Sequence, residues 1–332
     1  MQRRSRFKTE RRAPSIRVTA NDLEILALLE RYRHLPSSHL LALLARSGKD
    51  SSYYKNRLTK LRHDAQLIGC PEASWRAANA RYRPAVYELT SKGRNVLRQH
   101  GYAVGSGKSG GNFSHELMIS LFHASIALGT ADDPRLTLIT AAEILGHPSC
   151  PASTRERSDP FLIPVQIPRT GSYGEAANGL RENIRHDGDP FGVAYAGAGG
   201  RIARLFFAGI EADRCTEPLH ARDAERSSIA RKVRAILSAA DDRVYSKHLG
   251  IPNCLVPIVT ISEVRKSSMM GLVDQMTNGA GSRILLFKSI PDFSGFETFP
   301  PPSGQFLTES WDRVGYPQFN IARELARAVE EQ

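Results

Sequence analysis

Cysteine is scarce in this sequence: four residues in 332, at positions 70, 150, 215 and 254, with no Cys-x-x-Cys or Cys/His ligand spacing among them. That pattern argues against a disulfide framework and a structural zinc site, and it points to a reducing cytoplasm. Long apolar runs are missing too. No stretch approaches the ~20 residues that a membrane-spanning helix needs. The basic opening segment MQRRSRFKTERR lacks the apolar core of a secretory signal. None of the ten histidines forms a His-x-His triplet. The metal-binding motif of tyrosine relaxases and rolling-circle initiators is therefore absent, which disfavours a covalent tyrosyl–DNA mechanism. His115-Glu116 is no zincin motif either, because position 119 is Ile.

What is present is charge, unevenly placed. Residues 1–100 hold 21 Lys/Arg against 8 Asp/Glu, while residues 101–332 hold 24 against 26, which accounts for the net charge of +11. Lys and Arg release the counterions condensed on phosphate, so a cationic block of this kind is the footprint of a nucleic-acid-binding module. Residues 1–16 read as a basic disordered arm. Asn21 is expected to cap a first helix, Pro36-Ser37-Ser38 restarts a second, and a third runs over about 53–66. Tyr53, Tyr54, Lys55, Asn56, Arg57, Lys60 and Arg62 are placed on its outer face as DNA contacts. Two strands follow, at 67–68 and 85–89, around a loop carrying Arg76, Arg81 and Arg83. A closing helix in SKGRNVLRQHG completes the pattern, so residues 17–103 read as a winged helix-turn-helix.

Residues 104–112 form a Gly/Ser-rich linker. Gly107-Lys108-Ser109 imitates a Walker A motif, but Tyr102 stands where that motif needs glycine. Beyond it, helices and strands alternate over 113–290, interrupted by a long irregular insertion at 145–190 that contains six prolines. One long helix is expected over 224–249. A Pro/Gly-rich tail with a terminal helix occupies 291–332, and the helix either caps the domain or binds a partner. Asp187 falls in the turn RHDGD before one strand, and Glu211-Ala-Asp213 closes the next. Two residues apart on a strand, Glu211 and Asp213 project from one face. A third carboxylate from a neighbouring strand would complete a pocket for Mg²⁺, and Lys232 lies on the following helix.

TANDLEILALLERYRHL, VYELTSKG, SHELMIS, HDGDPFGV and IEADRCTEPL followed by IARKVRAIL together resemble the replication-relaxation proteins of bacterial plasmids and integrative elements. The resemblance covers roughly residues 18–265. It implies an α/β (α+β) protein of two domains, a winged helix joined to a restriction-endonuclease-like mixed sheet flanked by helices, similar to PD-(D/E)XK nucleases and to tyrosine-independent mobilisation relaxases. It also implies a role in plasmid relaxation, replication or transfer. Carried over by position, the acidic motif is Asp187, Glu211 and Asp213, with His115 and Glu143 as accessory residues. The motif normally has Pro before its first Asp, where this chain has His186. It normally has Lys two residues after its Glu, where this chain has Asp213. Losing that lysine removes a charge stabiliser unless Lys232 replaces it. Two readings follow. One is a metal-dependent DNA-nicking relaxase; the other is a non-catalytic replication or mobilisation factor, or transcriptional regulator, with a degenerate nuclease-like domain. Expected partners are double-stranded DNA and other replication or transfer proteins, with a homo-oligomer as an alternative assembly and no membrane.

Overall fold

The computed structural model describes residues 9–10, 16–45, 50–75, 82–105, 112–167, 180–220, 228–293 and 299–331. Arg76, Arg81 and linker residues 106–111 lie outside them. The chain is a mixed α/β protein with small sheets, and among the described residues no helix is long and apolar enough to cross a membrane. It divides into two compact units, Met1–Leu128 with Gly295–Gly304 and Gly129–Ser294 with Gln305–Gln332.

In the first unit, α1 (Ala20–Tyr32), α2 (Ser37–Leu44) and α3 (Ser51–His63) precede a three-stranded antiparallel sheet. Its order is β1 (Leu35–Pro36), β3 (Val86–Leu89), β2 (Ile68–Gly69), and α4 (Ser91–Gln99) follows. The cap of α1 is Thr19 rather than Asn21. Thr19 and Asp22 form a reciprocal capping box, while the Asn21 amide donates to the Tyr53 hydroxyl. Ile25, Leu26 and Leu29 of α1 pack with Leu40, Leu44, Tyr54, Leu58 and Leu61, all nearly free of solvent. The unit does not stop at the 104–112 linker. Helix α5 (Phe113–Asp132), expected in the second domain, puts Ala124 into this core. Ser120 donates to the Tyr32 carbonyl, and Glu116 meets His34 at 2.9 Å.

His39 of α2 is only 1% exposed, and burial lowers its pKa from 6.5 to about 4. The unfolded chain therefore takes up this proton first as pH falls. The corresponding stability is complete above pH 6.5 and is lost by about pH 4, a span worth about 3 kcal/mol. Replacing His39 with Leu is expected to flatten the acid limb of the stability curve over that window. Urea unfolding at pH 7 and pH 4.5 checks this.

In the second unit, β4 (Leu136–Ile139) pairs antiparallel with β7 (Phe191–Ala196), and β7 with β8 (Ile202–Phe207). β9 (Glu211–Asp213), β10 (Val256–Thr260) and β11 (Leu285–Ser289) are mutually parallel. A parallel bridge from Phe207 to Leu255 carries β8 alongside the start of β10, so one mixed arrangement runs from β4 to β11. Between β8 and β9 the chain bends at Gly209 (φ +133°), where a Cβ would sit 2.8 Å from His186 Cβ and 2.9 Å from the Asp187 carbonyl. Only glycine permits that approach.

Two expectations change here. The 145–190 insertion is not irregular throughout its described part. It contains α6 (Ala141–Gly146) at its entrance, then α7 (Ala152–Arg155), and a hairpin of β5 (Ile163–Ile167) with β6 (Leu180–Ile184). Ile163, Val165 and Ile167 alternate into the core beside α8 (Ile229–Asp241). Pro164 hides this strand from a reading by composition, yet a two-stranded ribbon has open edges that tolerate proline. The predicted long helix is broken at Arg243 (φ 52°) into α8 and α9 (Val244–Leu249).

Helix α10 (Glu263–Met276) connects β10 to β11, and α11 (Gln305–Thr308) leads to α12 (Ile321–Glu330). The terminal helix belongs to the second unit rather than to a separate tail: it packs on β7 and β8, and Arg201 donates to the Val329 carbonyl.

Candidate functional site

Asp187, in the connection between β6 and β7, and Glu211, the first residue of β9, reach one end of the sheet. The Asp187 backbone pairs with Ile210 in both directions at 2.9 Å, and its Oδ2 accepts the Ala212 N–H at 3.0 Å. Glu211, 9% exposed, is held on one side by His186, whose Nδ1 lies 2.6 Å from Oε1. On its other side Lys232 of α8 approaches Oε2 at 3.7 Å and Glu217 at 3.0 Å. Burial works against the Lys232 charge, but Glu211, Glu217 and Asp187 outweigh it and raise the pKa above the usual lysine range. Lys232 is thus a permanent ammonium in a carboxylate field, suited to stabilising charge and unsuited to accepting a proton. An open cavity of about 280 Å³ adjoins it, lined by Glu182, Arg185, Glu211, Arg231, Lys232 and Ile236.

Asp213 lines a small pocket together with Glu211, Glu217 and Lys232, but it has partners of its own. Arg265 of α10 grips it with Nε at 3.0 Å and Nη2 at 3.1 Å, and the buried Thr260 hydroxyl donates to it at 2.8 Å. Same-face projection from the strand was a sound inference, but a neighbouring helix supplies the counter-charge. Among the described residues no group of three or more His, Cys, Asp or Glu is arranged to hold a metal ion. Of the expected triad, Asp187 is tied to the Ala212 N–H, Glu211 to His186 and Lys232, and Asp213 to Arg265 and Thr260. Substituting Asn for Asp213 leaves the Arg265 guanidinium, 14% exposed, without its carboxylate. We expect a loss of about 3 kcal/mol in the second unit's stability, read by urea unfolding, with Mn²⁺ affinity unchanged.

The accessory residues have other roles or places. Glu143 closes a capping box on α6, accepting from the Thr140 N–H and hydroxyl at 2.7 Å each. His115 lies in the first turn of α5, in the first unit.

The α3 face also differs from the helical-wheel reading. Tyr54 is fully buried in the core, and Arg62 is 5% exposed. Arg57 donates to both oxygens of the buried Asp22 and to the Arg17 carbonyl, tying α3 to the cap of α1. Tyr53 is half-buried beside Asn21. Of the expected face, Lys55 and Asn56 are exposed and Lys60 lies at its edge, and Ser52 and Thr59 are exposed beside them. Ser52 and Thr59 were missed because neither is charged. Arg83, in the expected wing, is half-buried. His186, Tyr245 and Arg265 were missed as partners of the acidic motif. Tyr245 and Arg265 come from helices remote in sequence, and no local pattern marks them. No protein family, curated protein or solved structure matches this chain.

Proposed function

We propose that this chain is a DNA-binding protein of plasmid or mobile-element replication and mobilisation. In this reading its first unit grips duplex DNA as a winged helix, and its second unit nicks one strand in a Mg²⁺- or Mn²⁺-dependent manner. The observation that carries the nicking reading is the meeting of Asp187, Glu211 and the Lys232 ammonium at one sheet end. The first unit's three helices, small antiparallel sheet and exposed Lys55 and Asn56 support the DNA-binding half. The mixed sheet with its helices supports the nuclease-like half.

Mg²⁺ commonly takes one or two carboxylates, completing its octahedron with water and substrate phosphate. In this reading Asp187 and Glu211 supply those carboxylates. The cation, when bound, activates water and offsets charge on the phosphate. In this reading Lys232 takes over the role of the motif's missing lysine and supplies positive charge to the scissile phosphate; its place on the cavity wall with Arg185 and Arg231 supports that role.

One observation favours the non-catalytic alternative: Lys232 already neutralises Glu211 and Glu217. Supercoiled plasmid incubated with the full chain and Mn²⁺ separates the two. Conversion to open circles supports nicking. Plasmid that stays intact with every divalent metal, while duplex binding persists, sinks it in favour of the alternative.

A further inference from the structure

Two arginines of the second unit meet at one tyrosine. The Arg283 guanidinium lies 5.2 Å from the centre of the Tyr316 ring, and that of Arg313 lies 5.6 Å from the same ring and 5.0 Å from the Phe319 ring. Aromatic faces attract guanidinium groups, so the rings hold both in place without neutralising either. Among the described residues neither arginine has a carboxylate in ion-pair contact. Glu324, the carboxylate that acts on Arg313, is bonded to Arg327.

Backbone contacts already join the two loops that carry these side chains. The Ser282 N–H donates to the Val314 carbonyl at 3.0 Å. Gly281 (φ +70°) lies so close that a Cβ there would run into the same carbonyl. Trp311 and Phe319 exchange backbone hydrogen bonds at 2.8 and 2.9 Å, and Arg313 Nε donates to the Pro317 carbonyl at 2.8 Å within the turn they close. The loops therefore do not depend on the arginines to hold them together, and the two like charges oppose each other. Partial burial, together with Arg283 and Arg327, holds the Arg313 guanidinium below the usual arginine range, yet an arginine stays charged at neutral pH.

We infer that Arg283 and Arg313 form a phosphate-binding site on the second unit, and that its occupant is the phosphodiester backbone of DNA. A guanidinium presents a planar fork of donors that matches phosphate oxygens, and an anion shared by two such groups offsets their repulsion. Contacts of this kind position a duplex without reading its bases. The inference rests on the reading of this chain as a DNA-binding protein, and it involves no metal ion.

Fluorescence anisotropy of the full chain on labelled duplex DNA, between about 50 and 200 mM salt, tests it. Arg283→Ala and Arg313→Ala should each weaken binding by about 10-fold at the low-salt end. Each should also lower the slope of log affinity against log salt by about 0.9. Arg283→Lys, which keeps the charge, should restore most of the slope. Replacing Arg323, an exposed arginine of the same unit, with Ala should change neither quantity. Arg283 is exposed and makes no hydrogen bond among the described residues, so its variants decide the question if Arg313→Ala fails to fold. Wild-type protein that binds no duplex at low salt overturns the DNA-binding reading and this inference with it. Arg283 variants that match a DNA-binding wild type in affinity and slope overturn this inference alone. So does an equal loss in Arg323→Ala, which marks a diffuse positive surface. Inorganic phosphate that binds the wild type but not Arg283→Ala, with duplex affinity the same in both, assigns the site to a small phosphate and overturns its DNA occupant.

Discussion

Replacing Glu211 with Ala should lower plasmid nicking by about 10³-fold or more while leaving duplex affinity within a factor of two. Glu211 offers an oxygen at the meeting point of Asp187 and Lys232, and its removal takes away half of the carboxylate pair. It also strands the His186 Nδ1 donor and leaves Lys232 with Glu217 as its remaining close carboxylate. The proposal assigns duplex binding to the other unit, so binding and chemistry should separate cleanly. Lys232→Met is expected to cost about 10²–10³-fold, the usual effect of deleting one transition-state charge partner, and Lys232→Arg to recover part of it. Single-turnover nicking at saturating protein, alongside electrophoretic retardation, measures both. Nicking by Glu211→Ala at the wild-type rate would remove this carboxylate from the chemistry.

The second large effect is structural. Asp22 is 0% exposed, accepts from the Thr19 N–H and hydroxyl at 2.8 Å each, and receives Arg57 Nε at 2.7 Å. Its loss to Ala leaves a guanidinium that is 13% exposed without a counter-charge. Breaking a buried pair from one side costs about 3–5 kcal/mol, against a typical domain stability of about 5–15 kcal/mol. The first unit of Asp22→Ala should therefore sit close to its unfolding transition at 37 °C. Arg57→Ala should fall by a similar amount, and the double variant Asp22→Leu/Arg57→Met should recover most of the loss, because it leaves no buried charge unpaired. Lys55→Ala should behave in the opposite way. Its stability should be unchanged, while the slope of log affinity for duplex DNA against log salt falls by about 0.9, one phosphate contact. An Arg57→Ala variant of full stability with the reduced slope would return Arg57 to the DNA-contacting face.

Local signals carried much of the fold. Thr90 before SKGRNVL and Pro36 before SSHLLALL are a cap and a break whose physics lies within a few residues, and α4 and α2 begin there; α3, expected from position 53, begins at Ser51 under the Asp50 cap. Strand β3 was legible from its apolar and aromatic residues. Thr19 was overlooked as the α1 cap because Asn21 is an equally good capping residue by type. The hairpin of β5 and β6 was obscured by Pro164, and the division at Leu128 by a glycine-rich linker that looks like a boundary.

By itself the sequence determined where the excess positive charge resides and where most of the helices lie. Those properties depend on neighbours along the chain. Tertiary structure alone decided which groups are spent internally: Arg57 on Asp22, Arg265 on Asp213, and His186 in a hydrogen bond with Glu211. Each pair joins residues 25 to 52 positions apart. Whether a charge faces a partner or water is settled only when packing brings such distant elements together.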